Sequence, residues 1–157
     1  MSGGEVRFIV DSMLGRLAKW LRIMGYDAHY QQSYKQGEIE ALIDEGRIFV
    51  TRKKQWEKVF PSATIITSDH VGEQLKELKH QGLLASPLAP FTRCIRCNVP
   101  LTEVDITTVS QRVPEYILYE AGKKIKHCPS CKRCYWAGTH KDRMRKQLRL
   151  WGVSLAQ

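Results

Sequence analysis

The sequence predicts an α/β protein: a parallel sheet with helices on both faces, then a small β-rich unit and a basic C-terminal helix. Three observations carry that expectation. Short apolar runs alternate with segments of helical periodicity over roughly the first half of the 157 residues. Five cysteines all lie beyond residue 93, four of them in two CxxC pairs. The segment "HKDRMRKQLRLW" (140–151) repeats apolar residues at helical spacing among Lys and Arg.

"VRFIV" (6–10) reads as a buried strand ending at one carboxylate, Asp11. Ser12 can cap the helix that follows, in which Leu14, Leu17, Leu21 and Met24 form an apolar stripe and Arg16, Lys19 and Arg22 lie off it. Gly25 stops that helix. "DAHY" (27–30) is a short strand, residues 38–46 a helix, 47–51 a buried strand and 53–60 a helix. "TIIT" (64–67) is a fourth strand, and residues 71–82 a helix closed by Gly82. Two prolines in "ASPLAPF" mark a linker over 85–91, separating a first domain (1–84) from a second (92–157). Links this short between strands and helices imply parallel strands, whose sites gather at their carboxyl ends. Asp11, Thr51 and Asp69 fall there.

Charge divides the chain as sharply as pattern does. Residues 1–90 hold 12 basic and 11 acidic side chains, a net +1; residues 91–157 hold 13 and 5, a net +8. A polyanion would dock on the second part. No apolar run approaches the ~20 residues that span a bilayer, and no signal-peptide pattern opens the chain. A soluble cytoplasmic protein without a membrane partner is expected.

"CIRC" (94–97) and "CPSC" (128–131) are separated by 30 residues, 98–127. Each CxxC aims two thiolates at one tetrahedral metal, so Cys94, Cys97, Cys128 and Cys131 are expected to hold a structural zinc in a zinc ribbon. The spacer carries two strand-like runs, "VDITTVS" and "EYILYE". Cys134 extends the second pair to CxxCxxC, so Cys131 could pair with Cys128 or with Cys134. The first pairing is favoured, because it leaves Cys134 as a small apolar strand residue before Tyr135 and Trp136. Lys123, Lys124, Lys126, Lys132 and Arg133 surround these aromatics. Cations interleaved with rings suit phosphates and bases, while packing in the ribbon is the simpler role for Trp136.

Asp11, Asp69 and an acid opening the second helix, Glu38 or Glu40, can supply carboxylates for Mg²⁺ or Mn²⁺. The runs "FIVDSMLGRLAKWLRIMGYD", "EGRIFVTR", "ITSD", "FTRCIRCNVPL", "QRVPEYI" and "CPSCKRCYWAGTH" follow one another from about Phe8 to His140. Together they resemble the PIN-like RNase domain of the Mut-seven C-terminal family. The resemblance implies a PIN-like nuclease domain followed by a zinc ribbon, with RNA as substrate. It matches Asp11 to the first acid of the family pattern and Asp69 to the late one. Glu38 is the choice for the second-helix acid and Glu40 its rival.

The chain departs from the pattern where the family reads Thr-Arg-Asp and this sequence has Thr51, Arg52 and Lys53. A lysine beside carboxylates repels a divalent cation. The late motif is thinner as well, since Asp69 is followed by His70 where the family often has a second aspartate. Two expectations compete. In one, Asp11, Glu38 and Asp69 hold Mg²⁺ or Mn²⁺ for hydrolysis of RNA phosphodiesters, with Arg16 or Arg52 on the phosphate. In the other, the chain binds RNA or a ribonucleoprotein without cutting it.

Overall fold

The computed structural model describes residues 6–84, 89–119 and 124–153. Strands β1 (Arg7–Val10), β2 (Asp27–Tyr30), β3 (Ile48–Thr51) and β4 (Thr64–Ile65) form one parallel sheet in the order β2-β1-β3-β4. Alternation along the central strands sends side chains to opposite faces. Phe8, Val10 and Val50 enter a core with Leu17 and Leu21 of helix α1 (Gly15–Ile23), with Met24 at its end, and with Leu75 and Leu78 of the later helix spanning Val71–His80. Ile9 and Phe49 enter another, with Ile39 of α2 (Gln36–Asp44) and Phe60 behind the short α3 (Trp56–Val59). The helix at Val71–His80 is α4. The sheet thus has helices on both faces, as its apolar runs predict.

Helix α1 begins differently from expectation. The cap is Asp11, whose carboxylate accepts from the Ser12 N–H and starts a 3₁₀ turn over Ser12–Leu14. Arg22 is buried rather than on the polar face. Its guanidinium donates to the carbonyls of Ala28 and Ile95, an arrangement invisible to helical periodicity because Ile95 lies 73 residues away. Gly25 adopts φ +100°, and a Cβ there would fall 2.2 Å from the Ala89 carbonyl oxygen. The turn therefore needs glycine for both its backbone angle and its close neighbour.

The second half carries an antiparallel three-stranded sheet, β5 (Thr102–Glu103), β6 (Ile125–His127) and β7 (Cys134–Trp136). The spacer runs expected as strands fold otherwise. "VDITTVS" forms a 3₁₀ turn over Ile106–Val109, capped by the Asp105 carboxylate on the Thr107 N–H; "EYILYE" opens as helix α5 (Glu115–Leu118) behind Pro114. Val109 of the 3₁₀ turn, Val113 of the intervening turn and Ile117 of α5 pack with Ile125 in a small separate core. Helix α6 (Thr139–Leu150) comes last in the described chain but packs back on the first sheet's core through Leu148, with Trp151 just beyond it. The indole of Trp151 meets Trp20 edge-on at 4.9 Å. No helix among the described residues is long and apolar enough to cross a membrane.

Candidate metal centre and acidic edge

Two knuckles bring the cysteines together by repeating one set of backbone bonds. In the first, Cys94 N–H donates to Val99 O, Asn98 N–H to Cys94 O, and Cys97 N–H to Cys94 Sγ at 3.4 Å. In the second, Cys128 N–H donates to Arg133 O, Lys132 N–H to Cys128 O, and Cys131 N–H to Cys128 Sγ at 3.4 Å. The residue after each pair, Asn98 or Lys132, takes a left-handed conformation (φ 64° and 67°) that turns the chain back. The four sulfurs lie within 4.8 Å of one another. Four thiols of this spacing, with amide N–H groups directed at two of them, are a donor set that fits a closed tetrahedral zinc site. Burial pushes the Cys94 thiol up, but bonds from the Tyr135 hydroxyl (3.2 Å) and nearby amides outweigh it and leave the pKa at about 7. Cys134 stands apart in β7, half-buried against the small core, as expected of an apolar strand residue.

The first knuckle is bolted to the sheet. Asn98 Oδ1 accepts from Ala28 N–H on edge strand β2 (2.9 Å), and its Nδ2 donates to Asp27 (2.7 Å). Asp27 also receives two N–H groups of Arg47, at 2.7 and 3.2 Å. Burial raises the Asp27 pKa, but the Arg47 and Asn98 bonds win and hold it below the usual carboxylate range.

At the carboxyl edge Asp11 is buried after β1. One oxygen accepts from Ser12 N–H (2.7 Å), the other from the Thr51 hydroxyl (2.6 Å), whose own oxygen accepts from Lys53 N–H (3.0 Å). Tyr30 donates to Ser12 O, and a Cβ on Gly15 would sit 3.0 Å from that hydroxyl. Burial, together with the Asp11 charge, raises the Tyr34 phenol pKa. Glu38 is exposed, turned back to the Lys35 N–H that starts α2 and bonded to the Gln31 side chain; the Gln31 and Lys35 bonds lower its pKa. Glu40 is exposed too and accepts from Gln36. Asp69 has a side chain 71% exposed, with His70 at 3.5 Å.

Among the described residues, the four cysteines are the one set of three or more potential donors drawn within 4.8 Å; Asp11, Glu38 and Asp69 are not such a set. As placed, they do not form the closed donor cluster that the cysteines do. Lys53 is exposed, and its ammonium is within 4.0 Å of no carboxylate among the described residues. Glu77, which no sequence motif marks, closes the loop that carries Asp69 by accepting from Thr67 and Ser68. Arg52, exposed, reaches the Thr67 carbonyl at 3.4 Å. Arg16, Lys124, Lys132 and Arg133 are exposed and Lys126 is half-buried; Lys123 lies outside the described residues.

A family model described as the Mut7-C RNAse domain matches residues 6–148, both the sheet and the cysteine-bearing half. The chain belongs to that family, which points to a nuclease-like, RNA-related function. Comparisons with curated proteins and with solved structures each found no match.

Proposed function

We propose that the protein binds RNA, chiefly through its basic second half, and that divalent-metal-dependent hydrolysis of the bound strand is weak or lost. A zinc ion held by Cys94, Cys97, Cys128 and Cys131 stabilises the fold and takes no part in chemistry, because four protein ligands leave no open position. Family membership supports RNA as the substrate class, and the excess positive charge of residues 91–157, a formal +8 that falls to about +6 with four zinc-bound thiolates, supports that half as the docking surface. The observation that carries the loss of cleavage is the dispersed acidic edge: Asp11 is engaged by neutral donors, Glu38 serves its helix, and Asp69 stands in solvent. Lys53 replaces the acid of the family pattern.

The second reading is an active ribonuclease of Mg²⁺ or Mn²⁺ type using Asp11, Glu38 and Asp69. It is favoured by the burial of Asp11 at the end of a central strand, where plain loop polarity would be exposed. RNA cleavage in Mg²⁺ or Mn²⁺ by wild type, Asp11→Asn and Lys53→Asp separates the two. Slow or absent wild-type turnover that rises in Lys53→Asp supports the first reading. Brisk wild-type cleavage abolished by Asp11→Asn establishes the second.

A further inference from the structure

A cleft of about 510 Å³ opens between the small sheet and α6, away from Asp11. Its walls are aromatic and basic at once: Phe91, Tyr116 and Trp136 with Arg93, Arg133 and Lys141. None of the described residues lining it is acidic. The Lys141 ammonium and the Arg145 guanidinium both lie over the Phe91 ring, at 5.0 and 4.8 Å from its centre. Neither cation has a carboxylate within 4.0 Å among the described residues. Burial lowers the Lys141 pKa, and the adjoining Arg145 and Lys126 charges lower it further against the opposing pull of Asp142. Tyr116 is 61% exposed at the mouth, although its neighbour Ile117 anchors α5 in the small core.

Cations alone would suit any anion. A cleft that also offers ring faces suits an anion with a flat apolar body, which is what a nucleotide is. We propose that this cleft is a subsite for one nucleotide of a single-stranded RNA, with its base against the aromatic wall and its phosphate toward Lys141 and Arg133. The proposal rests on the RNA-binding reading above and adds to it the place and the strandedness. Duplex RNA does not satisfy such a site, because its bases are stacked inward. An acidic peptide would satisfy the cations but leave the ring faces unused.

The test is equilibrium binding of the full zinc-loaded chain, without added Mg²⁺, to fluorescein-labelled eight-nucleotide oligo(A), an abasic strand of equal length, and oligo-glutamate. Wild type is expected to prefer oligo(A) over both. Tyr116→Ala, at an exposed position, should weaken oligo(A) by roughly fivefold or more while leaving the abasic strand unchanged. Lys141→Gln should weaken both strands and reduce the slope of log affinity against log salt by about one. Oligo(A) binding that is tight but indifferent to Tyr116→Ala overturns the subsite and spares RNA binding. Oligo-glutamate binding as tightly as oligo(A) identifies the cleft as an acidic-peptide site and overturns the proposal. Failure of wild type to bind either nucleic-acid strand overturns the RNA reading itself.

Discussion

The cysteine end and the acidic edge each begin from residues that can ligate a metal, and they finish differently. The four sulfurs are gathered within 4.8 Å, and the same three hydrogen bonds fix each knuckle. The three acids form no such set among the described residues: Asp11 caps a 3₁₀ turn, Glu38 starts α2, and Asp69 faces solvent beside His70. A CxxC pair closes its own geometry within four residues, so local folding assembles half the site. Three carboxylates from three loops have no such local rule, and each settles with whatever N–H or hydroxyl its own surroundings supply.

That contrast is broken most directly at a sulfur. Cys128→Ser is expected to abolish stoichiometric zinc and to unfold the second half, since such a site contributes to folding free energy outright. Elemental analysis and a thermal melt check this; a zinc-free chain with an unchanged melt would put the two regions on equal terms. Asp11→Asn should leave zinc content unaltered.

A smaller effect is expected where the two halves meet. Asp27→Ala takes from the half-buried Arg47 its closest carboxylate, leaving it Glu45 at 3.7 Å and the Phe8 carbonyl, and takes from Asn98 one of two anchors, with an expected cost of about 2 kcal/mol. The sign with pH follows from the depressed Asp27 pKa. Its stabilisation is present above the ordinary carboxylate pKa of about 4 and is lost as pH falls through the lower folded value. Wild type and variant should therefore converge on acidification. If Asp27→Ala also speeds zinc release to a chelator, the knuckle and the sheet are one mechanical unit.

Legibility from sequence tracks the range of the interaction. The parallel sheet and its two apolar faces follow from runs such as "FIV" and the 3.6-residue stripe of α1, and the cysteine set from its spacing. Helical periodicity misplaces Arg22 because its partners Ala28 and Ile95 belong to other elements. Residue propensity misplaces the spacer because isoleucine and valine favour strands, while Asp105 and Pro114 stand where helical turns start. Glu77 escapes notice because it works at a distance of ten residues, on Thr67. At the acidic edge, strand pattern locates the carboxyl ends and Lys53 beside them, but it cannot pair Asp11 with the Thr51 hydroxyl, 40 residues away.

Thr51→Val sharpens the edge itself. It removes the hydroxyl from Asp11 Oδ2 and the acceptor from Lys53 N–H while keeping the side-chain shape. The expected loss is about 1–2 kcal/mol in a denaturant melt, because a buried carboxylate oxygen then lacks a donor. If Asp11 is freed in this way, Mg²⁺ affinity measured by titration calorimetry should rise rather than fall; a fall would make Thr51 part of a metal-binding arrangement.

The smallest effect compares the knuckles with each other. Asn98 and Lys132 hold equivalent left-handed positions, but only Asn98 uses its side chain to join the sheet, through Ala28 and Asp27. Lysine carries a Cβ penalty in this conformation that glycine does not. Lys132→Gly should therefore stabilise the protein by about 0.5–1 kcal/mol, after the greater freedom of glycine in the unfolded chain is counted. Asn98→Gly removes the same backbone strain and should still destabilise, because a β2 N–H and the Asp27 carboxylate each lose a partner. Opposite signs in paired denaturant melts are the expected outcome. Equal signs would mean that the first knuckle is held by its own turn alone, and that its contacts with the sheet contribute little. The same Lys132→Gly protein also lacks one cation, so a lowered salt slope for RNA together with a raised melt would separate the lysine's role in binding from its cost to the fold.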